Sequence, residues 1–342
     1  MRTAHITQYG DADSALEVVD VETPAPGPNE VRVAVEAVAL NHLDVFARTG
    51  HPEDEGDFPK RTGCDIAGVV DAVGEDADDS WVGEEVVVYP GVSCGSCEFC
   101  MAGEQTMCHE YEIIGEDRPG GLAEYVVVPE WNLEPKPPSL DFVTAAAIPV
   151  TFTTAWRMIV TAGELRPAES ALILGASGGV GNAALQIAER LGATTYAATS
   201  TGEKATVVGE IADDVIDYTE VAFDHAVMEL TDGRGVDLVA DHVGQATWQR
   251  SIDSLAMGGR MVICGATSGA DPEIDIRSLY QQHRQIRGAP IGNRQDFRDV
   301  LSLVAEGELD PRIDRVLPLD RIAEGHAAIE DRDVIGKVVI RP

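Results

Sequence analysis

Ala171-Leu172-Ile173-Leu174 runs directly into Gly175-Ala176-Ser177-Gly178-Gly179-Val180-Gly181-Asn182. The apolar run reads as a buried strand. The segment after it, Val180 to Leu191, sets Ala184, Leu185, Ala188 and Leu191 at helical spacing. A strand, a glycine-rich turn and a helix in that order form the context in which such a turn binds a dinucleotide. Gly178 lets the backbone approach a pyrophosphate, and Gly181 lets the helix pack close to the strand. The N–H groups of Gly179 and Val180 at the helix start then face the phosphates. Ala176 stands where the first glycine of the usual G-x-G-x-x-G would be.

Downstream, strands are expected at 195–199, 215–217, 236–241, 260–264 and 285–287. With the first they make six, and six strands joined by helices predict an α/β, doubly wound parallel sheet. The second strand should end beside the cofactor ribose, where an NAD site normally carries Asp or Glu. This chain has Thr199-Ser200-Thr201-Gly202-Glu203-Lys204 there. The Ser200 hydroxyl and the Lys204 ammonium suit a 2′-phosphate, which favours NADPH; Glu203 keeps NADH possible.

Upstream, the first 130 residues alternate with a period of two, as in Val31, Val33 and Val35, and are punctuated by Gly/Pro turns such as Pro24-Ala25-Pro26-Gly27-Pro28. This is the pattern of a β-rich, barrel-like domain. Residues 142–162 are expected to hold a helix interrupted near Pro149. The chain closes on Gly336-Lys337-Val338-Val339-Ile340, a strand expected to rejoin the first domain. The domains are therefore expected at 1–146, 147–289 and 290–342.

Cys94-x2-Cys97-x2-Cys100-x7-Cys108 places four thiols on one short loop, about 91–112, whereas Cys64 and Cys264 stand apart. Four thiolates at this density suit a closed tetrahedral zinc with no open position for chemistry, so the metal is expected to be structural. An iron–sulfur cluster is the rival occupant.

The composition sets the exterior. Of 342 residues, 59 are acidic and 25 basic, for a net charge of −34. Lysine occurs at four positions, 60, 136, 204 and 337. An acidic, lysine-poor surface resembles the habit of halophilic proteins and repels phosphate backbones, so no nucleic-acid partner is expected. No run approaches the ~18 apolar residues of a membrane span, and no leader pattern opens the chain. The expected location is cytoplasmic.

A β-rich domain, a four-cysteine lobe and a following dinucleotide domain together resemble the medium-chain dehydrogenases/reductases, the superfamily of zinc alcohol dehydrogenases and quinone oxidoreductases. Pro26-Gly27-Pro28-Asn29-Glu30-Val31, Gly68-Val69-Val70, Gly258-Gly259-Arg260 and Gly336-Lys337-Val338-Val339 also fit. The resemblance implies a GroES-like catalytic domain, a Rossmann cofactor domain, a small-molecule substrate, hydride transfer and a homo-oligomer, dimer or tetramer. It places Thr154 beside the nicotinamide. Gly244, Gly265 and Ala266 follow strands that should line the cofactor.

The departures from the family are informative. Zinc-dependent members place Cys, Gly-His-Glu and a later Cys around a catalytic metal. Here those positions read Asn41, Gly63-Cys64-Asp65 and Val150. Valine cannot ligate and an amide is a poor zinc ligand, so a normal tetrahedral site is not assembled. Asn41, Asp44, Cys64 and Asp65 become the candidate catalytic residues: Asn41 to orient a substrate carbonyl, the others to position substrate or relay a proton. Each also has a bland reading, as a cap, a buried hydrogen-bonded carboxylate or a small core residue. The expected activity is NADPH-dependent reduction of a quinone or conjugated enone without catalytic zinc. Two alternatives stay open: a zinc-dependent alcohol or polyol dehydrogenase with altered ligands, and a cofactor-binding sensor without turnover.

Overall fold

The computed structural model describes residues 1–50 and 57–342. The chain divides into two compact units, residues 1–150 with 293–305 and 311–342, and residues 151–292 with 306–310.

The first unit begins with a hairpin of β1 (Arg2–Ile6) and β2 (Leu16–Asp20). Its principal strands follow: β3 (Glu30–Ala39), β4 (Asp65–Val73) and β5 (Glu85–Val88). Next come the short pair β6 (Gly91–Val92) and β7 (Glu112–Ile113), then β8 (Tyr125–Pro129) and β9 (Leu133–Pro135). Alternation puts Val31, Val33, Val86, Val88, Val126 and Val128 into one apolar core with Ile66 and Leu122.

The second unit contains β10 (Ser170–Leu174), β11 (Thr194–Thr199), β12 (Asp214–Asp217), β13 (Val236–Asp241), β14 (Leu255–Ile263) and β15 (Gln285–Gly288). They form one sheet in the order β12-β11-β10-β13-β14-β15, with every pair parallel. The order reverses between β10 and β13, and in such sheets ligands bind outside the strand ends at that switch point. β14 begins five residues before its expected start, because Leu255 pairs with Val236 ahead of a register shift. The helical stretch is interrupted just before Pro149, as expected: one helix spans Phe142–Ala146 and the next, Pro149–Trp156, opens on the proline. Proline suits a first helical position, where its missing N–H has no intrahelical partner to lose.

The chain then supplies β16 (Ile313–Pro318) and β17 (Lys337–Arg341) to the first unit. The resulting seven-stranded sheet runs β16-β17-β3-β4-β5-β9, with β8 also on β3. β3 is flanked by β17 and β4, so Ala39 faces Val339 on one side and Asp65 on the other. Leu40 N continues the β17 pairing by donating to Val338 O at 2.9 Å. That register brings Lys337 level with Asn41.

Candidate functional site

In the first unit, β3 ends at Ala39 and the helix His42–Thr49 starts three residues later, with Asn41 as its N-cap. Asp44 lies in the first helical turn and is 1 % exposed. Its Oδ2 accepts from Asn41 N at 2.7 Å and its Oδ1 from Gly63 N at 2.8 Å. Gly63 has φ +98°, and a Cβ there would stand 2.9 Å from Leu122 N, so this approach requires glycine. Burial raises the Asp44 carboxyl above its ordinary range, against the pull of hydrogen bonds from Asn41, Thr62 and Gly63 and of the Lys337 charge.

Asp65 opens β4 and is wholly buried. Its Oδ1 accepts from Val150 N at 2.6 Å, and its Oδ2 accepts from Asn41 Nδ2 at 2.8 Å and Lys337 Nζ at 2.9 Å. Lys337 Nζ also donates to Asn41 Oδ1 at 2.6 Å. Of the family ligand positions, Asn41 and Asp65 thus share one ammonium group, and Val150 is tied to it through Asp65. Cys64 is wholly buried beside them. Burial, then the Asp44, Asp65 and Glu116 charges, push its thiol well above the ordinary value and keep it protonated.

This donor set does not fit a divalent cation. The Asn41 and Asp65 oxygens already bind a positive charge, and Val150 has no ligand atom. Asn41 is partly exposed, whereas Asp44, Cys64 and Asp65 are buried. Sequence reasoning treated Lys337 only as part of a strand. Its scarcity was the available signal: a chain with four lysines sets one of them 3 % exposed.

In the second unit, the turn after β10 is held by Gly178 N to Gly175 O at 2.9 Å and Ala176 N to Ala198 O at 3.1 Å. Thr199 Oγ1 at the end of β11 donates to Ser177 Oγ at 3.1 Å. The helix Gly179–Arg190 starts at once, and its first N–H groups have no intrahelical acceptor. A Cβ on Gly181 would lie 2.2 Å from Gly175 O, which accounts for glycine at this contact. These features fit a bound pyrophosphate.

Ser200 follows β11, and Lys204 lies on the short helix Glu203–Val208. Gly244 follows β13, and Gly265 and Ala266 follow β14 at the same edge of the parallel sheet. Thr154 is on the helix Pro149–Trp156 and is 6 % exposed. Asp241, to which the sequence assigned no role, organises the loop carrying Gly244. Its carboxylate accepts from Val243 N at 2.8 Å, Gly244 N at 3.1 Å, Thr247 Oγ1 at 2.8 Å and Ser251 Oγ at 2.6 Å. Burial lowers the His242 imidazole beside it and lifts the Cys264 thiol to about 12, so both are neutral.

The four-cysteine lobe is closed at its base by antiparallel β6 and β7. Cys94, Cys97, Cys100 and Cys108 Sγ all lie within 4.8 Å of one another. Cys97–Cys100 is 3.5 Å and Cys94–Cys100 is 3.9 Å. A tetrahedron with Zn–S bonds of about 2.3 Å has edges of about 3.8 Å, whereas a disulfide needs about 2.05 Å. N–H groups of Cys97, Cys94 and Glu110 approach Cys94 and Cys108 Sγ, each at 3.4 Å. The thiols share protons: hydrogen bonds from the Ser96 and Cys97 backbones bring Cys94 down to about 6, while Cys108 is pushed up to about 11. Among the described residues, this is the one cluster of three or more metal-ligating side chains.

A family model described as an alcohol dehydrogenase GroES-like domain matches residues 27–138, and one described as a zinc-binding dehydrogenase matches residues 179–306. An acryloyl-coenzyme A reductase of Sulfurisphaera tokodaii is 32% identical over 94% of this chain and 95% of its own length. The human quinone oxidoreductase is 26% identical over 99% of this chain and 97% of its own length. A solved structure of an NAD-dependent alcohol dehydrogenase superposes with a TM-score of 0.95 at 42% identity, covering 100% of both chains.

Proposed function

The chain belongs to the medium-chain dehydrogenase/reductase superfamily and is an NAD(P)H-dependent oxidoreductase, and from that premise we propose that it is an NADPH-dependent reductase of quinones or conjugated enones that works without a catalytic metal. The observation that supports this reading is the Lys337 ammonium bound to Asn41 and Asp65, at positions where zinc-dependent relatives gather ligands. A donor set that cannot hold a Lewis acid makes an alkoxide hard to generate, which disfavours alcohol oxidation. A quinone or a conjugated C=C bond needs less polarisation.

The reduced dinucleotide, when bound, supplies a hydride from nicotinamide C4 to the acceptor, and a proton from solvent completes the two-electron reduction. Gly178, Gly179, Val180 and Gly181 would hold its pyrophosphate, Thr154 would serve its nicotinamide, Gly244, Gly265 and Ala266 would line its bed, and Ser200 and Lys204 would receive the 2′-phosphate. Asn41 is the residue that touches substrate, donating to the carbonyl or quinone oxygen as negative charge develops there. Asp44 and Asp65 position it, Asp44 by accepting from Asn41 N and Asp65 by accepting from Asn41 Nδ2, and Cys64 is a buried thiol beside them. Cys94, Cys97, Cys100 and Cys108 hold a structural zinc that stiffens the lobe.

The same reading makes the protein a cytoplasmic homo-oligomer, dimer or tetramer, with an acidic surface suited to concentrated salt and no nucleic-acid or membrane partner. No helix among the described residues is long and apolar enough to cross a membrane. The likeness to an NAD-dependent alcohol dehydrogenase favours a second reading, alcohol oxidation with NAD and an altered catalytic metal.

Metal analysis separates the two. The protein is expected to carry about one zinc per chain, falling to near zero in Cys100→Ser; two zincs, one of them resistant to that substitution, would support the alcohol dehydrogenase. Turnover with a quinone and enone panel is expected to prefer NADPH. Lys204→Glu, which sets a carboxylate against a phosphate, is expected to erode that preference about tenfold, equivalent to about 1.4 kcal/mol. An unchanged NADPH/NADH ratio would remove Lys204 from the cofactor site.

A further inference from the structure

An ammonium has three N–H bonds. Lys337 uses all of them, on Leu40 O at 2.8 Å, Asn41 Oδ1 at 2.6 Å and Asp65 Oδ2 at 2.9 Å. It therefore has no proton to lend to a substrate, and its effect falls on Asn41. A primary amide can turn end for end, exchanging its oxygen and nitrogen. At Asn41 a positive charge on one side and a carboxylate on the other impose one orientation, with Oδ1 toward Lys337 and Nδ2 toward Asp65. One Nδ2–H is spent on Asp65. The other has no acceptor among the described residues, on a side chain that is partly exposed.

Resting on the reductase reading above, we propose that Lys337 is a positioning residue, which locks the Asn41 amide so that its remaining Nδ2–H is presented as a fixed donor to the carbonyl oxygen of the substrate. Preorganisation gives such a donor its value, because a dipole already aimed at the developing charge needs no reorientation as the charge appears. The choice of residue agrees with this role. The chain uses 25 basic residues, of which four are lysines. A compact ammonium converges on three acceptors around one nitrogen, whereas the planar guanidinium fork spreads its donors.

The test combines kinetics with side-chain amide NMR. The chain has five asparagines, so selective ¹⁵N-Asn labelling gives a small spectrum in which Asn41→Ser identifies the Asn41 pair. In the wild-type protein with NADP⁺, one Asn41 amide proton is expected to be protected from exchange. The other is expected to shift when 2-cyclohexen-1-one, the probe, is added.

In Lys337→Met the difference in exchange protection between the two protons is expected to disappear. The kcat with NADPH and the enone should fall about 10²-fold, the loss typical of an oxyanion donor. The enone KM and the NADPH affinity should change less than threefold, since the interaction belongs to the transition state. Asp65→Asn/Lys337→Met removes both charges together and leaves no buried ion uncompensated, so it serves if the single variant does not fold. It should show the same kcat loss.

A folded variant with wild-type kcat, or one whose Asn41 amide stays as fixed as before, overturns the proposal. A wild-type protein that turns over no quinone or enone overturns the reductase reading separately. The amide signals then still decide whether Lys337 fixes Asn41, and a missing response to the probe rejects the substrate half of the proposal.

Discussion

Asp65→Ala is expected to destabilise the protein by about 3–5 kcal/mol, the range for breaking a buried ion pair from one side. The carboxylate is wholly buried and accepts three hydrogen bonds, from Val150 N, Asn41 Nδ2 and Lys337 Nζ. Alanine leaves the Lys337 ammonium, whose side chain is 4 % exposed, with two neutral acceptors and no counter-charge. It also leaves Val150 N without its acceptor, a further desolvation cost of about 1–3 kcal/mol. Calorimetry should record a fall in Tm on the order of 10 °C. The charge-neutral pair Asp65→Asn/Lys337→Met should lose much less, because no isolated ion remains. A loss below about 1 kcal/mol for Asp65→Ala would mean that water reaches the lysine, and the account of a desolvated ammonium would fail.

Gly181→Val carries the second large effect. Its Cβ would stand 2.2 Å from Gly175 O and 2.7 Å from Gly175 C. Both are backbone atoms that cannot swing aside, so the turn itself must open and its phosphate-facing N–H groups lose their alignment. NADPH affinity by titration calorimetry is expected to fall at least about 10²-fold, near 2.7 kcal/mol. Zinc content should stay unchanged. Gly178→Ala is the informative companion. Its Cβ meets only Gly175 O at 3.4 Å, so the free protein should tolerate it. A methyl group at the helix entry should still hinder the pyrophosphate and weaken binding. If Gly181→Val binds NADPH normally, the phosphates do not sit at this turn.

The sequence disclosed what depends on neighbours along the chain. All six strands of the parallel sheet were expected near their observed positions, because their apolar residues are bounded by turn residues and alternate with helical segments. β14 was expected too short: Leu255 pairs with Val236 before a register shift that the chain's local pattern does not reveal. The four cysteines were legible for the same local reason. The surroundings of Asn41 were not. Lys337 and Asp65 are 272 positions apart, and only the β17–β3–β4 register brings them together. Asp241 was overlooked because its four donors come from the loop that it shapes, and aspartate at a strand end has no distinctive sequence pattern.

That register also sets a schedule for synthesis. β3 and β4 emerge early, yet β17, which closes one flank of β3, is translated only after the whole parallel sheet of the second unit. A nascent chain can complete its dinucleotide unit while the other sheet still lacks two strands. During that interval Asp65 has no ammonium partner and the end of β3 around Val38 and Ala39 is an open edge, the kind of surface on which chains mispair. The sheet that carries Asn41 and Asp65 is therefore the last part to become native, and the most exposed to error while the ribosome is still at work.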